Sequence, residues 1–277
     1  MKKTLIPALR ILALVGLCLA LLGAWLFVEN RPVTEDAEFI FVGTQQDADC
    51  VIILSGDFCV LVDTGEAADA PQILEILSQR GITQIDCMIL THPDSDHVGG
   101  AAQILESVSV REVITPYFAG DKAVYDSLIN LLQSVCIPVY TISRDRIFTF
   151  GDLTLMLFPP EEFYYTKTND YSLAILAEHG DVTVFMAGDA EKKRINELLE
   201  LDLPEDVSLY KVSHHGRYCS ESVSLIEKLS PAYAVVTSDQ ADDEILQALE
   251  DSGSEVFYTV GHTVSFLSDG HIIVPKA

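Results

Sequence analysis

The sequence contains few basic residues for its length. Its 277 residues include 17 Lys and Arg against 42 Asp and Glu, which gives a formal net charge of −25 at pH 7. Proteins that bind nucleic acid through bulk charge use lysine and arginine to displace counterions from the phosphates. The charge balance therefore excludes general electrostatic capture of a long polyanion. Hydrophobic residues make up 49% of the chain, so a disordered acidic tail protein is excluded as well.

Cysteine is also scarce, and its spacing forms no framework. The chain has six cysteines, no CxxC pair and no even spacing between them. Cys50, Cys59 and Cys87 lie inside apolar segments, where a cysteine usually behaves as a small buried hydrophobe. The sequence therefore predicts no disulfide scaffold. It also lacks internal repeats and low-complexity linkers, which favours one large domain over several small ones.

One apolar run is long enough to cross a bilayer. Residues 11–28 carry no charge, and 18 helical residues span about 27 Å. Residues 1–31 carry +3 and the remaining 246 carry −28, so the positive-inside rule places the acidic part outside the cytoplasm. We predict a basic cytoplasmic stub over 1–10, a signal anchor or transmembrane helix over 11–28, a tether over 29–37 and one domain over 38–277. The expected location is the cell membrane, with a single span.

The alternative for this run is a secretory signal that is cleaved off. Such a signal also has a basic start and an apolar centre, but it ends in a cleavage site with small residues. Here Leu22 stands two residues before Ala24, where a small residue is needed. The retained anchor is therefore preferred.

Beyond the tether, strand patterns alternate with helix patterns. Alternating or fully apolar β-branched segments predict strands, and apolar residues three to four apart predict helices. The predicted strands cover residues 39–43, 50–54, 59–63, 85–91, 113–116, 148–158 with a break at 151–152, 172–177, 183–186, 209–213, 232–237, 255–259, 264–268 and 272–275. The predicted helices cover residues 71–80, 101–107, 122–134, 191–199, 222–229 and 242–251. This order indicates an α/β domain with two sheets packed face to face and covered by helices.

One segment concentrates the residue types that bind metals. Four potential ligands follow the strand predicted to end at residue 91, namely His92, Asp94, Asp96 and His97. Two carboxylates and two imidazoles in one tight loop are costly to bury bare, whereas divalent cations satisfy them. The alternative is a polar turn in which an aspartate caps the next helix and the histidines are exposed.

Three other strand ends carry residues of the same kind. They are Asp63, Asp189 directly after Gly188, and the pair His214-His215. Singly, the aspartates are ordinary turn residues and the histidines are ordinary hydrogen-bonding groups. Because a rigid sheet can converge several strand ends on one point, the four segments together predict a single site.

The order of these motifs resembles that of the metallo-β-lactamase fold superfamily over residues 38–275. Within that superfamily the sequence is most similar to the extracytoplasmic nuclease-like domain of the competence DNA-uptake family, ComEC/Rec2. The segments that carry this closer resemblance are Val42-Gly-Thr-Gln-Gln-Asp47-Ala48, similar to that family's VGQGDA with an insertion, Asp94 in place of the commoner second histidine, Asn169-Asp170-Tyr-Ser172-Leu173, Gly188-Asp189-Ala190-Glu191 and Lys211-Val-Ser-His-His-Gly216.

The resemblance implies a four-layer αββα sandwich with two divalent metal ions at one sheet edge. Zinc is the expected metal. Manganese is the alternative, because ligands rich in carboxylates tolerate it as well. The implied metal ligands are His92, Asp94, Asp96, His97, Asp189 and His214. His92 and Asp94 would hold one ion, with Asp189 bridging to the other.

Further roles are implied around these ligands. Three residues would lie behind them, Asp63, Asn169 and Asp170, and the first would orient the histidines. Of the adjacent histidines, His214 is preferred as the ligand because it directly follows the strand. His215 would then donate a proton or contact the substrate, and the reverse assignment stays open. Asp96 and His215 are the expected catalytic residues.

The function implied is a membrane-anchored dinuclear metal-dependent hydrolase, of the phosphodiesterase or nuclease type, in which the metals activate a bridging water. The sequence departs from the ComEC/Rec2 pattern in two places. Residues 238–244 lack that family's Asn-x-Tyr-x-His-Pro segment, and Arg217 replaces the serine of HHGS. A second hypothesis is therefore a non-catalytic anchored binding or accessory module on the same fold. A short or zwitterionic phosphodiester suits the acidic domain better than duplex DNA.

Overall fold

The computed structural model describes residues 33–276. The predictions for residues 1–10, for the anchor at 11–28 and for the tether up to residue 32 lie outside these residues. Among the residues described, none of the helices has the length and apolar character needed to cross a membrane.

Strands and helices alternate along the chain. The strands are β1 (Ala37–Phe41), β2 (Val51–Ser55), β3 (Phe58–Val62), β4 (Gln84–Ile85), β5 (Cys87–Ile89), β6 (Ser109–Val110), β7 (Val113–Pro116), β8 (Val139–Ile142), β9 (Arg146–Phe150), β10 (Leu153–Phe158), β11 (Ala174–His179), β12 (Val182–Met186), β13 (Leu209–Lys211), β14 (Tyr233–Val236), β15 (Glu255–Tyr258), β16 (Val264–Ser268) and β17 (Ile273–Lys276). The helices are α1 (Ala70–Gln79), α2 (Ser95–Val98), α3 (Ala101–Ser107), α4 (Ala123–Ser134), α5 (Lys192–Glu200), α6 (Ser222–Leu229) and α7 (Asp243–Asp251). Short 3₁₀ turns cover Thr168–Tyr171 and Ser213–Gly216.

The strands form two large sheets. The first has the order β17-β16-β1-β2-β3-β5-β7-β8, and the second has the order β15-β14-β13-β12-β11-β10-β9. In the first sheet β3, β5, β7 and β8 run parallel, and in the second sheet β12 to β15 do. Parallel strands end at the same sheet edge, so their carboxyl ends bring the loops that follow them together.

Alternating side chains place helices on the outside of both sheets. In β3, Val60 and Val62 pack in the core between the sheets, whereas Cys59 and Leu61 pack against α1, α3 and α4. A third cluster joins the outer face of the second sheet to α5, α6 and α7. The layers therefore run helices, sheet, sheet, helices, as the sequence predicts. Truncating a buried leucine such as Leu61 to alanine costs about 2–5 kcal/mol in a core of this kind.

The structure also differs from the predicted elements in three places. The strand predicted over 85–91 is interrupted at Asp86, whose carboxylate accepts a hydrogen bond from Cys59 N at 3.0 Å. The segment before it, β4, pairs with β6 in a separate two-stranded sheet. The sequence pattern does not predict strand β8 or the short helix α2. Strand β8 is an edge strand with two exposed residues, and α2 is a single turn.

Candidate metal centre

Four loops bring the predicted residues to one sheet edge. They follow β3, β5, β12 and β13, and backbone bonds join them: Asp63 N donates to Ile89 O at 2.8 Å, and Leu173 N, which precedes β11, donates to Thr91 O at 2.9 Å. The second of these bonds links the two sheets. The strand ends that the sequence singles out therefore converge on one place.

Left-handed backbone occurs in three of the four loops of the site, those that follow β3, β12 and β13. Asp63, His214 and His215 have φ values of 57°, 50° and 54°, and Gly188 has 55°. Non-glycine residues in this region cost about 1–3 kcal/mol each and occur where the surrounding structure holds them. The pair Gly99-Gly100 has a different cause: a Cβ at residue 100 would lie 2.3 Å from Thr64 O, so only glycine lets the two loops approach.

Four buried side chains form the centre of this site. Asp49, His97, Asp189 and His215 each offer a ligand atom, and these atoms all lie within 4.8 Å of one another. Each residue is at most 3% exposed. Two carboxylates and two imidazoles so close together form a donor set of the type that binds divalent cations. We call these four residues the central group.

Asp63 fixes the orientation of His97. Its Oδ2 lies 2.7 Å from His97 Nδ1, and its two oxygens accept hydrogen bonds from Thr91 N at 2.7 Å and Thr91 Oγ1 at 2.6 Å. His97 Nε2 is thereby directed at Asp189 Oδ1, 3.2 Å away. Burial alone would lower the pKa of His97, but the carboxylates of Asp189, Asp63 and Asp49 raise it well above its ordinary value.

His92 faces the same group from the other side. Its Nε2 lies 4.0 Å from Asp94 Oδ2 and 4.0 Å from Asp189 Oδ2, and it makes no hydrogen bond. Burial lowers the pKa of His92 to about 3, so its imidazole is neutral. Its lone pair is available to a cation that lies between these carboxylates.

Asp189 contacts residues on both sides of the site. Its backbone N donates to Ser172 Oγ at 3.0 Å, which fixes the start of the loop. Its Oδ1 faces His97, and its Oδ2 lies 3.1 Å from His215 Nε2. Burial alone would raise the pKa of Asp189, but His215 and His97 hold it well below its usual range. Asp189 is therefore ionised, and its two oxygens face two different histidines of the central group.

His215, and not His214, belongs to the central group. His215 Nδ1 lies 3.0 Å from Thr237 Oγ1, and its Nε2 reaches Asp189 and also Asp96 Oδ2 at 3.3 Å. His214 Nε2 instead lies 3.2 Å from Asn169 Nδ2. The geometry therefore places His215, the alternative that the sequence left open, and not His214 in the central group. The reason is the left-handed turn at both residues, which directs adjacent side chains in different directions.

Asp94 and Asp96 lie at the mouth of the site, with side chains 23% and 28% exposed. Asp96 Oδ2 is 3.9 Å from His97 Nε2. Asp94 Oδ1 is 2.7 Å from Lys122 Nζ, which places an ammonium on one of the predicted ligands. Both carboxylates are within reach of the site and open to solvent.

Asn169 and Asp170 have different positions. Asn169 Nδ2 donates to Glu191 Oε1 at 3.2 Å as well as approaching His214. Asp170 Oδ1 accepts a hydrogen bond from Arg194 N at 3.1 Å, within the first turn of α5. Asp170 therefore satisfies a backbone donor of the helix instead of pointing into the central group.

Asp49 and Lys211 also belong to the site, although the sequence motifs do not mark them as site residues. Asp49 Oδ1 lies 3.3 Å from His215 Nδ1, and its Oδ2 forms an ion pair with Lys211 Nζ. Lys211 is 2% exposed and also donates to Gly188 O at 3.2 Å. Two signals were present: an aspartate directly before a buried strand, and a lysine inside an apolar one. The VGQGDA-like segment suggests Asp47, but Asp47 pairs with Arg217 at 2.9 Å on the surface.

The central group fits a divalent cation. His92 Nε2 is a buried polar atom without a hydrogen bond, and it lies 4.0 Å from Asp189 Oδ2 of the central group. Buried polar atoms left unpaired are costly, and ionised carboxylates left bare are more so. A divalent ion bound among these atoms removes that cost, since imidazole and carboxylate are among its preferred ligands.

Three consecutive basic residues begin α5, and each of them forms an ion pair with a glutamate. Lys192 contacts Glu221 at 3.0 Å, Lys193 contacts Glu162 at 2.6 Å, and the buried Arg194 contacts Glu197 at 2.7 Å. The triplet therefore offers no uncompensated positive patch, in agreement with the low basic content of the chain.

Comparison with known proteins now adds to this geometry. The family described as the metallo-beta-lactamase superfamily matches residues 43–262. The chain belongs to the metallo-β-lactamase superfamily. The ordered strand ends and the helix-covered sandwich are the features of this superfamily that the sequence predicts.

Two relatives support the closer resemblance. "ComE operon protein 3" of Bacillus subtilis is 25% identical over 166 residues, 60% of this chain and 21% of that protein. "Recombination protein 2" of Haemophilus influenzae is 29% identical over 184 residues, 65% of this chain and 21% of that protein. The similarity to the ComEC/Rec2 competence family is thereby confirmed. The chain spans about a fifth of the length of these relatives.

A solved structure agrees with the fold. The metallo-beta-lactamase fold protein YhfI from Bacillus subtilis superposes with a TM-score of 0.57 and 14% identity, over 85% of this chain and all of that one. At this identity the likeness establishes the shared architecture alone.

Proposed function

We propose that the protein is a metal-dependent hydrolase of phosphoric esters, with two divalent ions, zinc or manganese, bound at the candidate metal centre. The observation that carries this proposal is the convergence of the central group with His92, whose buried ring nitrogen has no partner. Membership in the superfamily supports hydrolysis. The choice of a phosphoric ester is supported by the carboxylate-rich donor set, which suits hard oxygen chemistry.

The ligand roles follow from the contacts. We propose that His97, Asp189, His215 and Asp49 would hold one ion, and that His92, Asp94 and Asp189 would hold a second. Bound there, divalent ions would lower the pKa of water and stabilise the negative charge that develops on the phosphate oxygens. Asp63 does not bind directly but keeps His97 in the orientation that ligation requires.

The other steps are assigned to side chains at the mouth. Asp96 accepts the proton of the attacking water, because its Oδ2 is partly exposed and is held 3.3 Å from His215 Nε2. His214 is half-buried beside Asn169, and we propose that it contacts the substrate. The buried walls around the central group exclude bulk water, which strengthens these interactions.

The substrate is proposed to be a short phosphodiester. The relatives are named for competence and recombination, and the resemblance implies a nuclease-like domain. A net charge of −25 and the paired basic triplet disfavour a long polyanion. A short or zwitterionic phosphodiester is consistent with a nuclease-like domain and avoids the repulsion that a long polyanion would meet.

The location is proposed from the sequence. We propose that residues 11–28 anchor the chain and that the domain acts outside the cytoplasm, because the apolar run is preceded by basic residues and followed by acidic ones. Labelling of intact cells with an impermeant thiol reagent at Cys136, a free and exposed cysteine just after α4, tests this topology, with Cys136→Ser as the control. Labelling only after lysis would contradict it.

The direct test of activity is a substrate panel on the full chain in detergent. Bis-p-nitrophenyl phosphate, a short single-stranded oligonucleotide, a phosphocholine ester and a β-lactam are compared with Mn²⁺ and with Zn²⁺. Turnover of the phosphodiesters that is lost in Asp189→Asn, with the β-lactam untouched, supports the proposal. Turnover of the β-lactam alone would contradict it.

A binding or accessory module is the second candidate. It is favoured by the two ammonium groups at the centre, since Lys122 pairs with Asp94 and Lys211 pairs with Asp49. Both cations lie on carboxylates that would otherwise bind metal. Metal bound without turnover of any substrate in the panel would favour this candidate.

A further inference from the structure

Two exposed aromatic side chains touch one another on the surface. Tyr117 is 39% exposed and Phe163 is 72% exposed, and their ring centroids lie 5.3 Å apart with the planes at 76°. Large aromatic rings usually bury most of their area. These two come from loops on different sheets, and both keep part of their surface exposed to solvent.

Strand register places Tyr117 at the sheet edge of the candidate metal centre. Tyr117 directly follows β7, which runs parallel to β5 with Ile89 opposite Ile114. Tyr117 therefore leaves β7 at the same sheet edge at which the chain leaves β5 toward His92. The same loop reaches the site again through Lys122, whose Nζ is 2.7 Å from the carboxylate of Asp94.

Phe163 is tied to the same strand end. It lies in the loop over residues 159–173 between β10 and β11, and Leu173 N at the end of that loop donates to Thr91 O at 2.9 Å. Inside the loop, the Tyr171 ring packs 5.0 Å from Phe118, next to Tyr117. Aromatic packing thus joins the two loops twice, through the Phe118–Tyr171 pair and through the exposed Tyr117–Phe163 pair.

The acidic charge of the chain favours substrate contacts that do not depend on charge. With −25 net and its basic triplet paired, the protein cannot gain affinity for a phosphoester through bulk charge. Aromatic side chains bind bases by stacking, which does not depend on charge and tolerates any base. A sugar ring can pack on the same surface.

We propose that Tyr117 and Phe163 form a ring-binding subsite for a substituent carried by the phosphate that reacts at the metal centre. The substrate is then a ring-bearing phosphoester, a nucleotide or a sugar phosphate, instead of a simple alkyl ester. This inference rests on the proposed function for the position of the phosphate.

The test is a set of binding measurements on the full chain in detergent with Mn²⁺. Dissociation constants are measured by calorimetry for thymidine 5′-monophosphate, ribose 5-phosphate, methyl phosphate and thymidine. We expect the double variant Tyr117→Ala/Phe163→Ala to weaken binding of the ring-bearing phosphates by about 5- to 150-fold, and methyl phosphate not at all. Loss for thymidine 5′-monophosphate alone identifies a base, and equal loss for ribose 5-phosphate identifies a sugar.

Two control variants separate the loss of stacking from other effects of the substitutions. Phe163→Trp retains a stacking surface and should keep the affinity, and Tyr140→Ala removes a ring that is 51% exposed on the edge strand β8 and should change nothing. Unchanged affinities in the double variant would overturn the subsite. A double variant that changes only the sedimentation coefficient would overturn it too, because the two rings would then belong to a contact between two copies of the chain. If methyl phosphate does not bind and no ester is cleaved, the proposed function fails, while thymidine still reports on the subsite.

Discussion

Lys211 Nζ lies 3.7 Å from Asp189 Oδ1, inside the group of side chains that fits a divalent cation. The same ammonium pairs with Asp49 and is almost fully buried. Burial alone would lower the pKa of Lys211, but Asp49 and Asp189 raise it, so the residue stays charged. A fixed positive charge thus neutralises part of the carboxylate charge and at the same time competes with a metal ion.

Replacing this lysine should separate stability from metal affinity. We expect Lys211→Met to lower the free energy of unfolding of the metal-free protein by about 3–5 kcal/mol, because Asp49 is left buried without its partner. The same change should tighten Mn²⁺ binding by about tenfold, because a neighbouring positive charge is removed.

Chemical unfolding with and without EDTA, together with Mn²⁺ titration, measures both effects. Lys192→Met removes an exposed ion pair with Glu221 and serves as the control, with an expected change within about 0.5 kcal/mol. Weaker Mn²⁺ binding in Lys211→Met would contradict the competing role of the ammonium.

Asp63 should control metal affinity without touching the metal. Asp63→Asn keeps the size of the side chain and tolerates the left-handed backbone at this residue, but it weakens the acceptor that orients His97. Loss of such a partner typically weakens metal binding by about 10- to 100-fold. Competition with a coloured chelator measures the change. Asp181→Asn, at an exposed pair with His271, is the control, and equal affinities in both variants would refute the orienting role.

The two adjacent histidines should behave differently. We expect His215→Ala to lose most of the bound metal, because His215 reaches Asp189 at 3.1 Å, and His214→Ala to retain it. If His214 contacts the substrate, its variant should raise KM with little change in metal content. Metal analysis of both variants, beside turnover of bis-p-nitrophenyl phosphate, makes the comparison. Metal loss confined to His214→Ala would restore the sequence-based assignment.

Metal binding should release protons in a pH-dependent manner. In the metal-free protein, carboxylates raise the pKa values of His97 and His215 well above the ordinary value of about 6.5, so both imidazoles hold a proton at neutral pH. A metal ion displaces these protons, and the apparent affinity should rise as pH rises toward the folded-state pKa values. Calorimetry in buffers of different ionisation enthalpy counts the protons, and an identical heat in every buffer would contradict the scheme.

The same shifts set the stability of the metal-free protein. Because the folded pKa values of His97 and His215 are raised, their contribution to stability is complete below about pH 6.5 and is lost as pH rises through the folded values. Asp189 has a lowered folded pKa, so its contribution is present above about pH 3.9 and is lost as pH falls through that lower value. Thermal unfolding in EDTA across pH should therefore show a decline on the alkaline side.

The fold and much of the site could be predicted because their signals are local. Apolar periodicity locates strands such as β3, and a strand followed by an acid and a glycine locates Asp63 and Asp189. Asp49 and Lys211 could not be paired in advance, because they lie 162 positions apart and belong to different sheets, which only the tertiary packing brings together. His214 and His215 share one local pattern, and only their backbone angles decide which of them enters the central group.

Whether the candidate metal centre binds divalent ions is measured by the metal content of the full chain. The purified protein is dialysed against trace Zn²⁺ or Mn²⁺, and bound metal is counted by mass spectrometry beside the Asp189→Asn variant and the Asp181→Asn control. We expect about two equivalents in the native chain and in the control, and a marked loss in Asp189→Asn. Absence of bound metal from the native chain, or equal content in all three proteins, would contradict it.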